Sequence, residues 1–136
     1  MNAEGKKVLI ADDEPDVHAF VKAVLREDGI SFLSADNGQS AIDMAKAEAP
    51  DLIILDVQMP RKNGFLVFRE LREDAATKSI PVIMLTAVTE RTGIDFNAET
   101  MGQYFGSEPE KYIAKPIDPE TLRTAVLSLI GGETAQ

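Results

Sequence analysis

The chain has 136 residues, of which 44% are hydrophobic, and this suits a single globular domain with a core of its own. Its net charge of -9 leaves no basic surplus to neutralise phosphates, which argues against a nucleic-acid partner, and the absence of cysteine excludes disulfides and thiolate chemistry. No apolar run approaches the roughly 20 residues that span a bilayer, and the first residues lack the apolar core of a signal peptide, so we expect a cytoplasmic protein without a membrane partner.

Apolar runs alternate with helical periodicities along the chain. Runs bounded by turn residues predict five strands, at 6–11, 30–35, 52–55, 80–86 and 111–114. Apolar residues at helical spacing predict helices that begin near residues 15, 38, 65 and 119, whereas the segment 87–110 fits the pattern least well. This alternation predicts an α/β domain with a doubly wound, five-stranded parallel sheet and right-handed crossovers. We expect residues 6–131 to form the domain, 1–5 a flexible N-terminus and 132–136 a polar tail.

The third strand carries the most informative residue. Leu52 to Leu55 is an unbroken apolar run, as in a strand that is buried on both faces, and Asp56 ends it. A carboxylate at this end of a parallel strand points into the crevice where open α/β sheets bind ligands. Taken alone, Asp56 is better explained as an ordinary strand-end aspartate that accepts hydrogen bonds from loop N–H groups, and the rest of the chain changes this interpretation.

Other strands end in groups that suit the same crevice. In chain order these are Asp12 and Asp13 after strand one, Asp56 after strand three, Thr86 after strand four and Lys115 after strand five. Carboxylates packed together repel one another unless a cation lies among them, and Mg²⁺ or Mn²⁺ suits such oxygen ligands. A carboxylate can also act as a nucleophile and form an aspartyl-phosphate, with a hydroxyl and an ammonium group on the phosphoryl oxygens. The residues therefore predict a metal-assisted site with Asp56 as nucleophile and with Thr86 and Lys115 on the phosphoryl group.

The chain resembles the receiver domains of bacterial two-component response regulators over nearly its whole length. The matching stretches are 8–15 (VLIADDEP), 55–60 (LDVQMP) with Gly64, 81–87 (PVIMLTA) and 112–116 (YIAKP). Each stretch alone is a weak signal, but together they stand in the right order at the right strand ends. The resemblance implies a flavodoxin-like fold with strand order 2-1-3-4-5.

The resemblance also implies roles for individual residues. Asp56 would accept a phosphoryl group from the phosphohistidine of a sensor histidine kinase or a phosphotransfer protein. Asp13 and Asp56 would bind Mg²⁺ directly and Asp12 through water, and the backbone carbonyl of Gln58 would complete the protein ligands.

The resemblance assigns the last matching stretch to signalling. A cis peptide between Lys115 and Pro116 would aim the lysine side chain, and Tyr112 would turn inward when Thr86 moves onto the phosphoryl group. Simpler interpretations remain open: Asp12 or Asp13 as helix N-caps, Lys115 as a solvated lysine, and Tyr112 as an edge-strand aromatic residue. His18, the only histidine, is not expected to act in a phosphorelay or as a metal ligand.

The functional hypothesis is a stand-alone receiver that is a signalling protein rather than an enzyme. Phosphorylation would switch a surface that signals to an unknown downstream protein. This surface is formed by strand five and by the fourth helix of the receiver family, which would lie within the segment 87–110. One alternative is a receiver-like module that binds partners without being phosphorylated. Another is a flavodoxin-like cofactor binder or phosphotransfer enzyme, although the loops lack a glycine-rich phosphate cradle. The segment 87–110 is longer than is usual in receivers. The extra length could form a docking surface or could be a tolerated surface insertion.

Overall fold

Parallel strands alternate with helices in the computed structural model, which describes residues 5–57, 64–86, 111–115 and 117–130. The strands are β1 (Lys7–Ala11), β2 (Ser31–Ala35), β3 (Leu52–Asp56), β4 (Val82–Thr86) and β5 (Lys111–Ala114). The described helices are α1 (Pro15–Leu25), α2 (Gly38–Glu48), α3 (Gly64–Glu73) and α4 (Pro119–Ile130), and a 3₁₀ turn over Arg26–Asp28 follows α1.

The strands form one sheet in the order β2-β1-β3-β4-β5, and every neighbouring pair is parallel. This confirms the doubly wound topology and the strand order expected from the sequence. The register aligns the strand ends: Ala11 lies opposite Leu55, and Thr86 lies opposite Ala114. Because the strands run the same way and end at similar heights, the residues that follow them come out at one edge of the sheet.

The two faces of the sheet carry separate apolar clusters, which is why the central strands are apolar at successive positions. All five residues of β3 and of β4 are buried. Side chains such as Ile53 and Leu55 pack with α2 and α3, whereas the alternate residue Ile54 packs with α1 and α4 on the other face. This burial fixes where β3 ends and therefore where Asp56 lies.

The observed element ends differ from the predicted ones by one or two residues, for local reasons. The sequence predicts that the second strand begins at Ile30, but in the structure it begins at Ser31. Gly29, which precedes Ile30, has a left-handed backbone with φ of 73°, and the extended backbone starts only after this turn. The fourth strand begins at Val82 rather than Ile80, since Pro81 has no N–H to donate, although its carbonyl still accepts a hydrogen bond from Ile53.

Parts of the sequence prediction fall outside the described residues. These are residues 1–4, 58–63, 87–110, 116 and 131–136. Within the described ranges, no helix combines the length and the apolar character needed to cross a membrane.

The end of α2 contains a strained residue. Ala49 has φ of 48° and ψ of 60°, a left-handed conformation that usually favours glycine at a helix C-terminus. We predict that Ala49→Gly raises the free energy of unfolding by about 0.5–1 kcal/mol, because relief of the strain exceeds the extra chain entropy of glycine. Urea unfolding monitored by circular dichroism measures the change.

Ala47→Gly is the matched control, since Ala47 is also exposed but lies inside α2. This substitution should lower the free energy of unfolding by about 1 kcal/mol, which is the usual cost of glycine in a helix. Equal losses of stability in both variants would contradict a strained Ala49.

Candidate functional site

The strand ends deliver the predicted polar residues to one edge of the sheet. Asp12 follows β1, Asp56 ends β3, Thr86 ends β4 and Lys115 follows β5. Asp12 is fully buried, and Asp56 and Thr86 are 6% and 8% exposed, whereas Asp13 is exposed. Buried polar groups need partners, so the contacts among these residues decide what the site can do.

Three carboxylates lie close together at this edge. Asp12, Asp13 and Asp56 each place a carboxylate oxygen within 4.8 Å of the others. Such a set repels itself unless positive charge is nearby, and its oxygen atoms are the ligands that Mg²⁺ takes in proteins. The arrangement therefore fits a divalent cation.

Lys115 supplies positive charge to the same cluster. Its Nζ lies 3.1 Å from Oδ2 of Asp12 and 3.1 Å from Oδ1 of Asp56, and 3.6 Å from Oε1 of Glu14. The backbone N–H of Lys115 donates to the carbonyl of Thr86 at 2.7 Å, which continues the β4–β5 pairing by one residue. The lysine is thus held beside the carboxylates by both its backbone and its side chain.

Burial and charge change the protonation of this cluster. The pKa of Asp56 is raised from the usual 3.8 to about 6, chiefly by burial and then by the nearby Asp12 carboxylate, while Lys115 partly opposes this rise. Burial lowers the pKa of Lys115, but the carboxylates of Asp56 and Asp12 outweigh this effect, so the net shift is upward. Lys115 therefore stays charged, and Asp56 titrates closer to neutrality than an ordinary aspartate.

Hydrogen bonds to Glu14 and to the end of β2 hold Asp12 in place. Its Oδ1 accepts from the backbone N–H of Glu14 at 2.9 Å, and its backbone N–H donates to the carbonyl of Ala35 at 3.1 Å. The N-cap of α1 is Glu14, and its side chain makes no capping hydrogen bond. The capping interpretation of Asp12 is therefore replaced by a turn just before the helix.

Two residues at this site went unrecognised in the sequence. Glu14 faces Lys115, and Nε2 of His18 lies 2.7 Å from the carbonyl oxygen of Asp12. A histidine one turn into a helix has no distinctive spacing to a strand-end aspartate, so only the folded path of the chain reveals the contact.

Thr86 and Tyr112 lie on the same face of the sheet. Tyr112 pairs with Met84, two residues before Thr86, and side chains two apart on a strand share a face. Tyr112 is half-buried against the apolar cluster on the α2 and α3 side. The switch roles of Thr86 and Tyr112 stay predictions, and so do the Gln58 carbonyl ligand and the cis Lys115–Pro116 peptide, since Gln58 and Pro116 lie outside the described residues.

Gly64 brings the first turn of α3 against the backbone of Asp56. A Cβ on Gly64 would overlap the carbonyl oxygen of Asp56 and approach Cα of Val57 to 2.8 Å. The N–H of Gly64 donates to the carbonyl of Val57 at 2.7 Å. The close approach requires glycine and fixes the backbone that carries the Asp56 carboxylate.

Comparison with known proteins gives a consistent result. Residues 8–127 match the response regulator receiver domain. The chain is similar to protein PilH of Pseudomonas aeruginosa, with 34% identity over 93% of this chain and 98% of PilH. It is also similar to a longer protein, the alkaline phosphatase synthesis transcriptional regulatory protein PhoP of Bacillus subtilis, with 31% identity over 92% of this chain. The chain spans about half of PhoP, since the match covers 48% of that protein.

A solved structure with the same fold is chemotaxis protein CheY4 of Vibrio cholerae. It is 28% identical, with a TM-score of 0.75 over 91% of this chain and 98% of CheY4. The family match over residues 8–127 includes the strand ends that carry the acidic cluster.

Gly64→Ala tests the close approach of α3 to Asp56. Alanine normally stabilises a helix relative to glycine, but the added methyl group should force α3 away from Asp56. We predict that the free energy of unfolding falls by about 1–3 kcal/mol, as for other overpacked sites. Urea unfolding measures this change, and a stabilised variant would show that the approach is loose.

The raised pKa of Asp56 makes the stability of the metal-free protein depend on pH. Because the folded-state pKa lies above the unfolded value, the protonated form favours folding, and this stability is lost as pH rises through about 6. We predict that, with chelator present, the native chain loses roughly 3 kcal/mol between pH 4 and pH 8 relative to Asp56→Asn. Urea unfolding of both proteins across this range gives the difference.

Asp56→Asn is the reference because it leaves the neighbouring Asp12, Asp13 and Lys115 in place. A difference that stays level, or that favours the native chain at high pH, would contradict the raised pKa.

Proposed function

Because this chain belongs to the response regulator receiver family, whose members are signalling domains of two-component systems, we propose that Asp56 is its phosphoacceptor. The phosphoryl donor is the phosphohistidine of a sensor histidine kinase or of a phosphotransfer protein. The observation that carries the proposal is the meeting of Asp56 with the Asp12 and Asp13 carboxylates and with the Lys115 ammonium group.

Asp12, Asp13 and Asp56 would hold the divalent cation that the reaction needs. Their carboxylate oxygens lie within reach of one ion, and oxygen ligands suit Mg²⁺, with Mn²⁺ as a substitute. When bound, the cation neutralises charge on the carboxylates and on the incoming phosphoryl oxygens. By resemblance to the family, the backbone carbonyl of Gln58 is a further ligand.

The transfer itself exchanges one bond to phosphorus for another. An ionised carboxylate oxygen of Asp56 forms a bond to phosphorus, and the bond from phosphorus to the donor histidine nitrogen breaks. The departing nitrogen keeps the electron pair and can take a proton. Lys115, at 3.1 Å from Asp56, is positioned to bind a phosphoryl oxygen, and the Thr86 hydroxyl is the proposed second donor.

Phosphorylation would then change the surface near β5. The added charge draws Thr86 towards the phosphoryl group, and Tyr112, on the same face of the sheet, fills the space that this movement leaves. A downstream protein would bind the altered face formed by β5 and by the segment 87–110, where the receiver family has its fourth helix.

Chemical phosphorylation tests the proposal. After incubation with Mg²⁺ and acetyl phosphate, the native chain should gain about one phosphoryl group, roughly 80 Da, because Asp56 is a positioned nucleophile. Intact-mass spectrometry measures the gain. Asp56→Asn should gain nothing, and EDTA should prevent the gain in the native chain.

Lys115→Met separates the role of Lys115 from that of the nucleophile Asp56. It should slow phosphorylation at least tenfold without abolishing it, since the nucleophile and the metal ligands remain. A folded native chain that gains no mass would contradict the proposed function and favour a binding module that is not phosphorylated.

A further inference from the structure

His18 makes a direct hydrogen bond to the backbone of the acidic cluster. Its Nε2 lies 2.7 Å from the carbonyl oxygen of Asp12. A carbonyl oxygen only accepts hydrogen bonds, so Nε2 carries the hydrogen and donates it. The other ring nitrogen, Nδ1, is enclosed, and no group in the described ranges forms a hydrogen bond with it.

The bonded carbonyl belongs to the peptide that joins Asp12 to Asp13. A peptide unit is planar, so the direction of this carbonyl sets the orientation of the whole unit, including the N–H and Cα of Asp13. Both carboxylates of the pair belong to the acidic cluster. The bond from His18 therefore fixes the backbone between two proposed metal ligands.

Stability alone is a poor explanation for a histidine at this position. A buried acceptor such as Nδ1, which lacks a hydrogen bond within the described ranges, costs free energy that an apolar side chain of similar size would avoid. The ring is nevertheless placed so that its other nitrogen reaches the Asp12 carbonyl.

We propose that His18 is a positioning residue for the cation site, and that it acts through the Asp12–Asp13 peptide rather than as a ligand. This inference rests on the proposed function, because it assigns His18 to the same metal site. Residues that orient metal ligands from outside the coordination sphere typically change metal affinity by about 10–100-fold when they are removed. Loss of the His18 hydrogen bond should weaken metal binding by an amount at the lower end of that range, about tenfold.

Three substitutions of His18 separate the hydrogen bond from the bulk of the ring. His18→Leu removes the donor, and His18→Asn keeps an amide but shortens the side chain by one bond. His18→Gln places an amide N–H as many bonds from Cβ as Nε2 of histidine, so it can restore the donor. Lys22→Gln, an exposed position on the same helix, is the control for a general effect of altering α1.

The measurement is the Mg²⁺ dissociation constant at pH 7.5 by isothermal titration calorimetry, with urea unfolding to establish that each variant is folded. We expect dissociation constants about tenfold higher for His18→Leu and His18→Asn, which means weaker binding of Mg²⁺. Those of His18→Gln and Lys22→Gln should lie within about twofold of the native value, since the donor is retained or untouched.

Native affinity in a folded His18→Leu or His18→Asn variant would overturn the inference. So would a folded His18→Gln variant that binds as weakly as the other two. A native chain that binds no Mg²⁺ would instead remove the proposed metal site itself, and the inference would fall with it.

Discussion

Mutual repulsion among three carboxylates is the constraint on which the site depends. Asp12, Asp13 and Asp56 are brought within 4.8 Å of one another, and two of the three are buried. Without a cation, Lys115 offsets part of this repulsion from 3.1 Å, and Asp56 still holds its proton to about pH 6. The charge of a divalent cation among these oxygen atoms would offset the repulsion that remains.

The packing of the strands holds the carboxylates close to one another despite their repulsion. Strands β1 and β3 are neighbours, and both are apolar on both faces, so neither can slide to relieve the repulsion without exposing its core. The contact of Gly64 with the Asp56 backbone and the hydrogen bond from His18 to Asp12 hold the two strand ends. The burial of apolar strands thus stabilises a polar arrangement that is unfavourable by itself.

Much of this was predictable from the sequence, and the remainder has physical reasons. The apolar run 52–55 and its neighbours predict buried parallel strands, and parallel strands place Asp12, Asp56 and Lys115 at one edge. The partners of each side chain were not predictable, because the Lys115–Asp12 contact joins residues 103 positions apart and depends on side-chain geometry. The left-handed Ala49 and the bond from His18 likewise have no sequence pattern, since each follows from how neighbouring segments meet in space.

Locating the phosphoryl group by residue tests the central claim most directly. Borohydride reduces an aspartyl-phosphate to homoserine, so treatment of the acetyl phosphate-modified chain followed by peptide sequencing in a mass spectrometer identifies the acceptor. The account predicts homoserine at position 56 and unmodified Asp12 and Asp13, because Asp56 alone of the three is assigned as the nucleophile. Homoserine at position 12 or 13, or none at position 56, would contradict it.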